Sequence, residues 1–356
     1  MNRTLLLVLS GVAFGLVALT LGWFGNPANM GICVACFVRD IAGGLKLHAN
    51  PTVQYMRPEI FGVILGAFMT SIAFKEFKAS AGSAPFIRFA LGFFMMLGCL
   101  VFLGCPLRMA LRIGAGDLNA VIGLLGLVAG IAVGTYFINK GFSLTAAKSQ
   151  QKIEGWLFPV ASVILFAIVL WKSDIFVSSA KGPGSFHAPI FMALAGGLIL
   201  GFIVQRTRFC FIGMAKHVFL TRNFGMALGV LALIVTVFIG SHLLGTFHLG
   251  FDNQPIAHND GLWNFLSMAL VGFCGVLITG CPLRQLVKAG QGDADSAMSA
   301  FGMLFGAAIA HNFSFASSPA GPTDNGKVIV IIGILVCFAV AIAYSAFIKK
   351  EQVQVE

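Results

Sequence analysis

The chain has 356 residues, 58% of them hydrophobic and only 10% charged, with a formal net charge of +10 and a mean hydropathy of +0.92. A soluble domain carries roughly a quarter charged residues, so a soluble protein is excluded, and 35 Phe against 3 Tyr suit lipid-facing helices better than a β-barrel with a polar lumen. No basic run is long enough to read the positive charge as a nucleic-acid surface; in a membrane protein it reports orientation or contact with anionic lipid.

Met1 to Phe24 places one arginine before an apolar run that is too long for a signal peptide and lacks a small-residue cleavage site. It reads as the first span. A crossing takes about 20 apolar residues, and ten segments are candidates: 4–24, 59–74, 85–103, 118–138, 155–171, 189–205, 224–246, 262–280, 297–311 and 327–347. Between them lie four shorter segments with small and cationic residues, at 30–45, 105–115, 207–220 and 281–291. These fit re-entrant or broken half-helices, which a bilayer admits only where protein or a water-filled cavity covers the exposed backbone.

A repeat organises the chain. GCPLRMALRIGAGD, Gly104 to Asp117, returns as GCPLRQLVKAGQGD, Gly280 to Asp293, with Gly, Cys, Pro, Leu, Arg, both later glycines and the Asp in register. A weaker match pairs ICVACFVRD (Ile32 to Asp40) with FCFIGMAKH (Phe209 to His217), which sets Cys33 against Cys210 and Arg39 against Lys216. Each half reads as a span, a cysteine half-helix, two spans, a GCPLR half-helix and two more spans. Five spans per half is odd, so the second half enters the membrane from the other side, as in the inverted repeats of transporters. The boundaries are residues 1–153 for the first repeat, with 155–171 as its last or linking helix, 172–350 for the second, and 351–356 as a short cytoplasmic tail. The larger share of the 23 Lys and Arg, including Lys349 and Lys350, falls on the side that holds both termini. The loop Ser241–Gly261 on the other side has neither Lys nor Arg. Both termini are therefore expected in the cytoplasm.

In GCPLR the proline suits the first turn of a helix, where its missing N–H costs nothing. Cys105 and Cys281 then stand at the positive end of a half-helix, where free N–H groups favour an anion. Arg108 and Arg284, three residues on, share that face, and a charge inside a membrane usually lines an ion path. The candidate pathway residues are Cys33, Cys105, Cys210, Cys281, Arg108 and Arg284. Cys33 and Cys36 form a CxxC, but Gly213 stands opposite Cys36, so the second cysteine is outside the shared design. Cys99 and Cys274 are read as packing with a role in the path left open, and Cys337 as packing. Asp117 and Asp293 are expected to cap the helices that follow them. His48, His187, His242, His248 and His258 have no metal-site spacing, and neither metal nor cofactor is expected.

These residues carry a family resemblance over about residues 5–347. The paired cysteine half-helices and GCPLR with its G-x-G-D tail resemble the YeeE/YedE family of bacterial inner-membrane transporters of sulfur compounds. The C-x-x-C-F-x-R-D near the start is most similar to the YedE branch, described as selenium transporters. The resemblance implies an hourglass-shaped protein in the inner membrane, with opposed re-entrant loops meeting at the waist and cysteines passing thiosulfate by thiol hydrogen bonds to its terminal sulfur. By motif these roles fall on Cys33, Cys105 and Cys281, with Cys210 as the pseudo-symmetric fourth. Pro and Leu after the motif cysteine depart from the thiosulfate branch. The family is also associated with small cytosolic sulfur carriers of the TusA type.

The expected fold is thus an all-α polytopic membrane protein of two inverted repeats, about five spans each, whose re-entrant half-helices meet at the membrane centre. The expected function is import of a small sulfur- or selenium-containing anion, thiosulfate-like, along a cysteine relay, with membrane lipid as surroundings and no nucleic-acid partner. Two other readings compete. One is a membrane thiol–disulfide oxidoreductase using Cys33 and Cys36 or a motif cysteine pair; the other is a membrane dock for a TusA-like carrier. No P-loop is present for ATP-driven pumping.

Overall fold

The computed structural model describes residues 2–355, with side chains through Ala346; Lys349, Lys350 and the tail 351–356 fall beyond those side chains. Among the described residues, fourteen α-helices account for nearly all regular structure, and their order repeats once. The first seven are α1 (Arg3–Trp23), α2 (Val34–Gly44), α3 (Pro58–Ala73), α4 (Pro85–Phe102), α5 (Pro106–Gly114), α6 (Leu118–Asn139) and α7 (Lys152–Trp171). The second seven are α8 (Ile190–Thr207), α9 (Phe211–Thr221), α10 (Gly225–Leu243), α11 (Gly261–Leu277), α12 (Pro282–Gly290), α13 (Ala294–Asn312) and α14 (Asp324–Val355). Helices stand at all ten expected spans and all four half-helices, within a few residues of the expected limits except at the end of α14, which runs to Val355 against an expected 347. Strands β1 (Ser80–Ala81) and β2 (Lys148–Ser149) pair antiparallel across two loops.

Eight stretches are long and apolar enough to cross a membrane, three of which are a long helix joined to the short helix after it: Pro85–Gly114, Ile190–Thr221 and Gly261–Gly290. The protein is a multi-pass membrane protein. Two of the ten expected spans fall outside that set. The 16-residue α3 is too short, and α13 carries Asp295, His311 and Asn312. Neither can face lipid on all sides, and each leans on a helix of the other half that is apolar enough to cross: α3 on α8, and α13 on α4.

The packing of one half on the other follows the repeat. α1 lies on α10 while α3 lies on α8, and α6 lies on α11 while α13 lies on α4. α4 and α11 touch each other in the middle and have the most buried spans. These pairs approach closely because small residues line their seams. A Cβ at Gly62 would meet the Leu194 carbonyl and one at Gly197 the Glu59 carbonyl, while one at Gly130 would strike the Ala269 carbonyl. In lipid, where apolar surface alone does not drive helices together, such backbone-to-backbone approach is a main source of association. α7 and α14 break the pattern: α7 packs against α3, α12 and α13, whereas α14 packs against α11, α4 and α6.

The halves are also stitched at the motif tails. His248 and Gly250 donate backbone hydrogen bonds to the carbonyls of Ala115 and Gly116, at 3.0 and 3.1 Å. Lys78 and Ser80 donate to those of Gln291 and Gly292, both at 3.2 Å. Each GxGD tail is thus bridged by a loop of the opposite half. The tails need their glycines, because Gly116 and Gly292 have φ of +97° and +107°, a region closed to most side chains.

Candidate functional site

Three of the four half-helices follow a long helix after a break of only a few residues, and the break has one recurring device. Leu103, Arg208 and Thr279 each adopt the left-handed conformation, with φ of 62°, 59° and 62°. Each stands two residues before a candidate cysteine. A left-handed non-glycine residue costs on the order of 1–2 kcal/mol, and such strain gathers at functional sites. It ends the long helix: the Leu103 N–H returns to the Cys99 carbonyl and that of Arg208 to Val204. The cysteine then takes an extended backbone as the N-cap of the next helix. Cys33, Cys105, Cys210 and Cys281 all do so, with Pro106 and Pro282 at the first turn of α5 and α12.

All four thiols are therefore held where free helix N–H groups converge. The Cys36 N–H donates to Cys33 Sγ at 3.3 Å. At Cys105, Cys210 and Cys281 the sulfur makes no cap hydrogen bond, although backbone N–H groups of Arg108 and Ala35 lie near that of Cys105 and those of Arg284 and Phe211 near that of Cys281. The sulfurs gather within each half. Cys33 Sγ lies 3.8 Å from Cys105 Sγ and 2.9 Å from Cys36 Sγ, and the Cys210 thiol faces that of Cys281. The half-helices themselves meet across the repeat, α2 touching α12 and α5 touching α9. Cys33 is 0% exposed, Cys105 and Cys281 1%, and Cys210 8%, so the second pair lies nearer an opening.

The two motif arginines sit differently. Arg108 is fully buried and uses every guanidinium donor. Its Nε donates to the Asn29 carbonyl at 3.1 Å, Nη2 to those of Pro255 and Ile256 at 3.2 Å each, and Nη1 to the Leu103 carbonyl and, at 3.9 Å, to Cys36 Sγ. It clasps two loops over the first thiol group. Arg284 is half-buried, and its Nη1 reaches the Val204 carbonyl at 3.4 Å.

The aspartates of the motif cap as expected, Asp117 accepting from the Asn119 N–H and Asp293 from the Ser296 N–H. Each also holds a cation one turn upstream: Arg112 Nε lies 2.6 Å from Asp117 Oδ2 and Lys288 Nζ 3.0 Å from Asp293 Oδ2. These cations occupy the same place in both copies of the motif, a signal present in the sequence but passed over in the reading of it. Arg112 Nη2 is buried without a partner. Cys36, outside the shared design by sequence, stands within the first thiol group. Cys274 Sγ instead touches Cys337 Sγ at 3.2 Å, between α11 and α14. Of the loop histidines, His187 stacks on Tyr55 and His258 Nε2 bonds the Val101 carbonyl at 2.9 Å.

Residues 206–355 match the Sulphur transport family model. The matched segment runs from the end of α8 through α14 and so takes in Cys210, Cys281 and Arg284. No curated protein matches the chain.

Proposed function

We propose that the protein imports a small anion carrying a soft sulfur or selenium atom, thiosulfate-like in shape and charge, past the two thiol groups. The observation that carries this reading is the duplicated geometry itself: Cys33 with Cys105 and Cys210 with Cys281, each pair set among the N–H groups of two half-helix starts. Neutral thiols donate weak S–H hydrogen bonds, and conduction needs binding weak enough to release. A thiolate would repel the anion, so the thiols stay protonated during passage. Arg284, with donors to spare, draws the anion toward the second pair, while Arg108 holds the first group closed.

In this reading residues 1–153 and 172–350 are oppositely inserted halves whose half-helices meet at the centre of the bacterial inner membrane. The exchange of packing partners between the halves supports it, as does the bridging of each motif tail by the other half. The excess of Lys and Arg supports cytoplasmic termini, and the selenium branch and a TusA-like carrier rest on the resemblance. Radiolabelled thiosulfate and selenite uptake is the test. Cys105→Ala and Cys281→Ala should each abolish uptake at normal membrane levels, and unimpaired uptake by both removes the relay.

The 2.9 Å approach of Cys33 Sγ and Cys36 Sγ favours one second reading, a thiol–disulfide exchange activity at this pair. Cys36→Ser separates the two, since it abolishes exchange but leaves a relay through Cys33 and Cys105 in place.

A further inference from the structure

The first thiol group contains three sulfur atoms, from Cys33, Cys36 and Cys105. By sequence the second has two, because Gly213 replaces Cys36. The backbones of α2 and α9 start alike: Cys33 and Cys210 are both extended N-caps, so Cys36 and Gly213 are both the third helical residue. A side chain at 213 would therefore point where Cys36 points. That space is filled from elsewhere. A Cβ built on Gly213 collides with the Sδ of Met226, in the first turn of α10, and lies 3.5 Å from Cys210 Cβ and 3.3 Å from His217 Cδ2.

We propose that Met226 is a further pathway residue, supplying the third sulfur of the second group in the place that Cys36 holds in the first. This deepens the transport reading above and rests on it. The exchange has a chemical consequence. A thiol donates a hydrogen bond and a thioether cannot, yet the thioether is as polarisable and offers the same soft contact to a sulfur or selenium atom. The second group thus keeps its affinity for the soft end of the anion but has one donor fewer to hold it. Met226 is 6% exposed and lines a cavity of about 350 Å³ together with Arg3, Thr4, His217 and Asn223. It stands between the Cys210 pair and an opening edged by the cationic Arg3. An anion leaving the thiols passes the thioether and enters this cavity.

Gly213 follows from the same geometry, since any side chain there would displace the methionine. The exchange can therefore be reversed by design. Met226→Leu keeps the volume and removes the sulfur, a swap that cores tolerate, and should lower thiosulfate uptake on the order of three- to tenfold. Gly213→Cys alone should fare worse, because the new side chain meets Met226. Gly213→Cys with Met226→Ala restores a third sulfur in the manner of the first half and should recover at least half of wild-type uptake. Gly213→Ala with Met226→Ala fills the space without sulfur and should not. Wild-type uptake by Met226→Leu, or no gain of the cysteine double variant over the alanine one, overturns the proposal. Cys210→Ala and Cys281→Ala run alongside: if they transport normally it is the transport reading that fails.

A second readout does not depend on any substrate. In purified protein, Met226→Ala should speed iodoacetamide labelling of Cys210 severalfold, read by mass spectrometry of its peptide, with Cys33 labelling unchanged. An unchanged Cys210 rate overturns the placement of Met226 between thiol and cavity.

Discussion

Replacing each motif arginine by lysine should separate a clasp from an anion-binding cation. Arg108 donates to the carbonyls of Leu103, Asn29, Pro255 and Ile256, and to Cys36 Sγ, from a fully buried position. A lysine ammonium has three donors on a flexible stem, so at least two of these acceptors would be left alone. A buried polar group without a partner costs about 1–3 kcal/mol, and Arg108→Lys should therefore cost roughly 2–5 kcal/mol, near the upper end for single substitutions. At about 2–4 °C per kcal/mol that corresponds to a fall on the order of 4–20 °C in apparent melting temperature. Arg284 makes one long hydrogen bond from a half-buried position. Arg284→Lys should stay within about 0.5 kcal/mol of wild type but lower uptake, because a compact ammonium on another stem presents fewer donors to the anion. Thermal unfolding of the detergent-purified variants, with uptake measured in the same set, reads both effects. Equal melting temperatures for the two variants would refute the assignment of distinct roles. So would an Arg284→Lys variant that melts early and transports normally.

The duplicated ion pairs should differ in weight. Asp117 and Arg112 are both wholly buried, so Asp117→Ala strands a buried guanidinium and removes a cap, a loss of about 3–5 kcal/mol. Asp293 and Lys288 are partly exposed, so Asp293→Ala should cost about 1–2 kcal/mol; folded yield by size-exclusion chromatography orders the two, and the reverse order would contradict the burial argument. Gly130→Val drives its side chain against the Ala269 carbonyl and should strip folded protein from the membrane, which an immunoblot of membrane fractions checks. Burial lowers the pKa of His48 and of His258, both in loops outside the spans, below the usual 6.5. The folded state then binds fewer protons than the unfolded one, so the stability contributed by the neutral rings is complete above about pH 6.5 and declines as the pH falls toward the folded values. Melting temperature should drop between pH 7.5 and pH 5, and a flat profile would exclude this contribution.

Most of the architecture was legible because the bilayer leaves the chain few choices. Long apolar runs must become helices, and the positions of Gly, Pro and Cys in GCPLR fix where a helix breaks and restarts. Hence the expected half-helix 281–291 and the observed α12, Pro282–Gly290, nearly coincide. What stayed illegible depended on contacts between segments far apart in sequence. Nothing local announces that Leu103, Arg208 and Thr279 take left-handed backbones, since none is a glycine; the tertiary fold imposes it. The different fates of Arg108 and Arg284 are equally invisible in identical GCPLR strings. They are set by the loop at 253–257, which reaches Arg108 and has no equivalent over Arg284 among the described residues. Arg112 and Lys288 could have been found, because a cation five residues before the motif Asp is kept in both copies.

The two halves thus share their geometry and differ in how that geometry is closed. Both break a long helix, cap the next with a cysteine and fix the tail through a cation–aspartate pair. In the first half an arginine seals the thiols beneath two loops, and a third thiol sits beside Cys33. In the second the equivalent arginine makes one long hydrogen bond, and the thioether proposed for the third place lines a cavity. A strictly symmetric pair of sites would hold an anion equally at either end and gives no reason for it to move on. Unequal sealing and unequal donor number give the two sites different access and different grip, so a solute released from the thiol-rich site finds a looser one with an exit beside it. In this reading the few residues at which the duplicated halves diverged set how tightly each site holds the solute and how freely it is reached, while the net direction of passage follows the solute's electrochemical gradient.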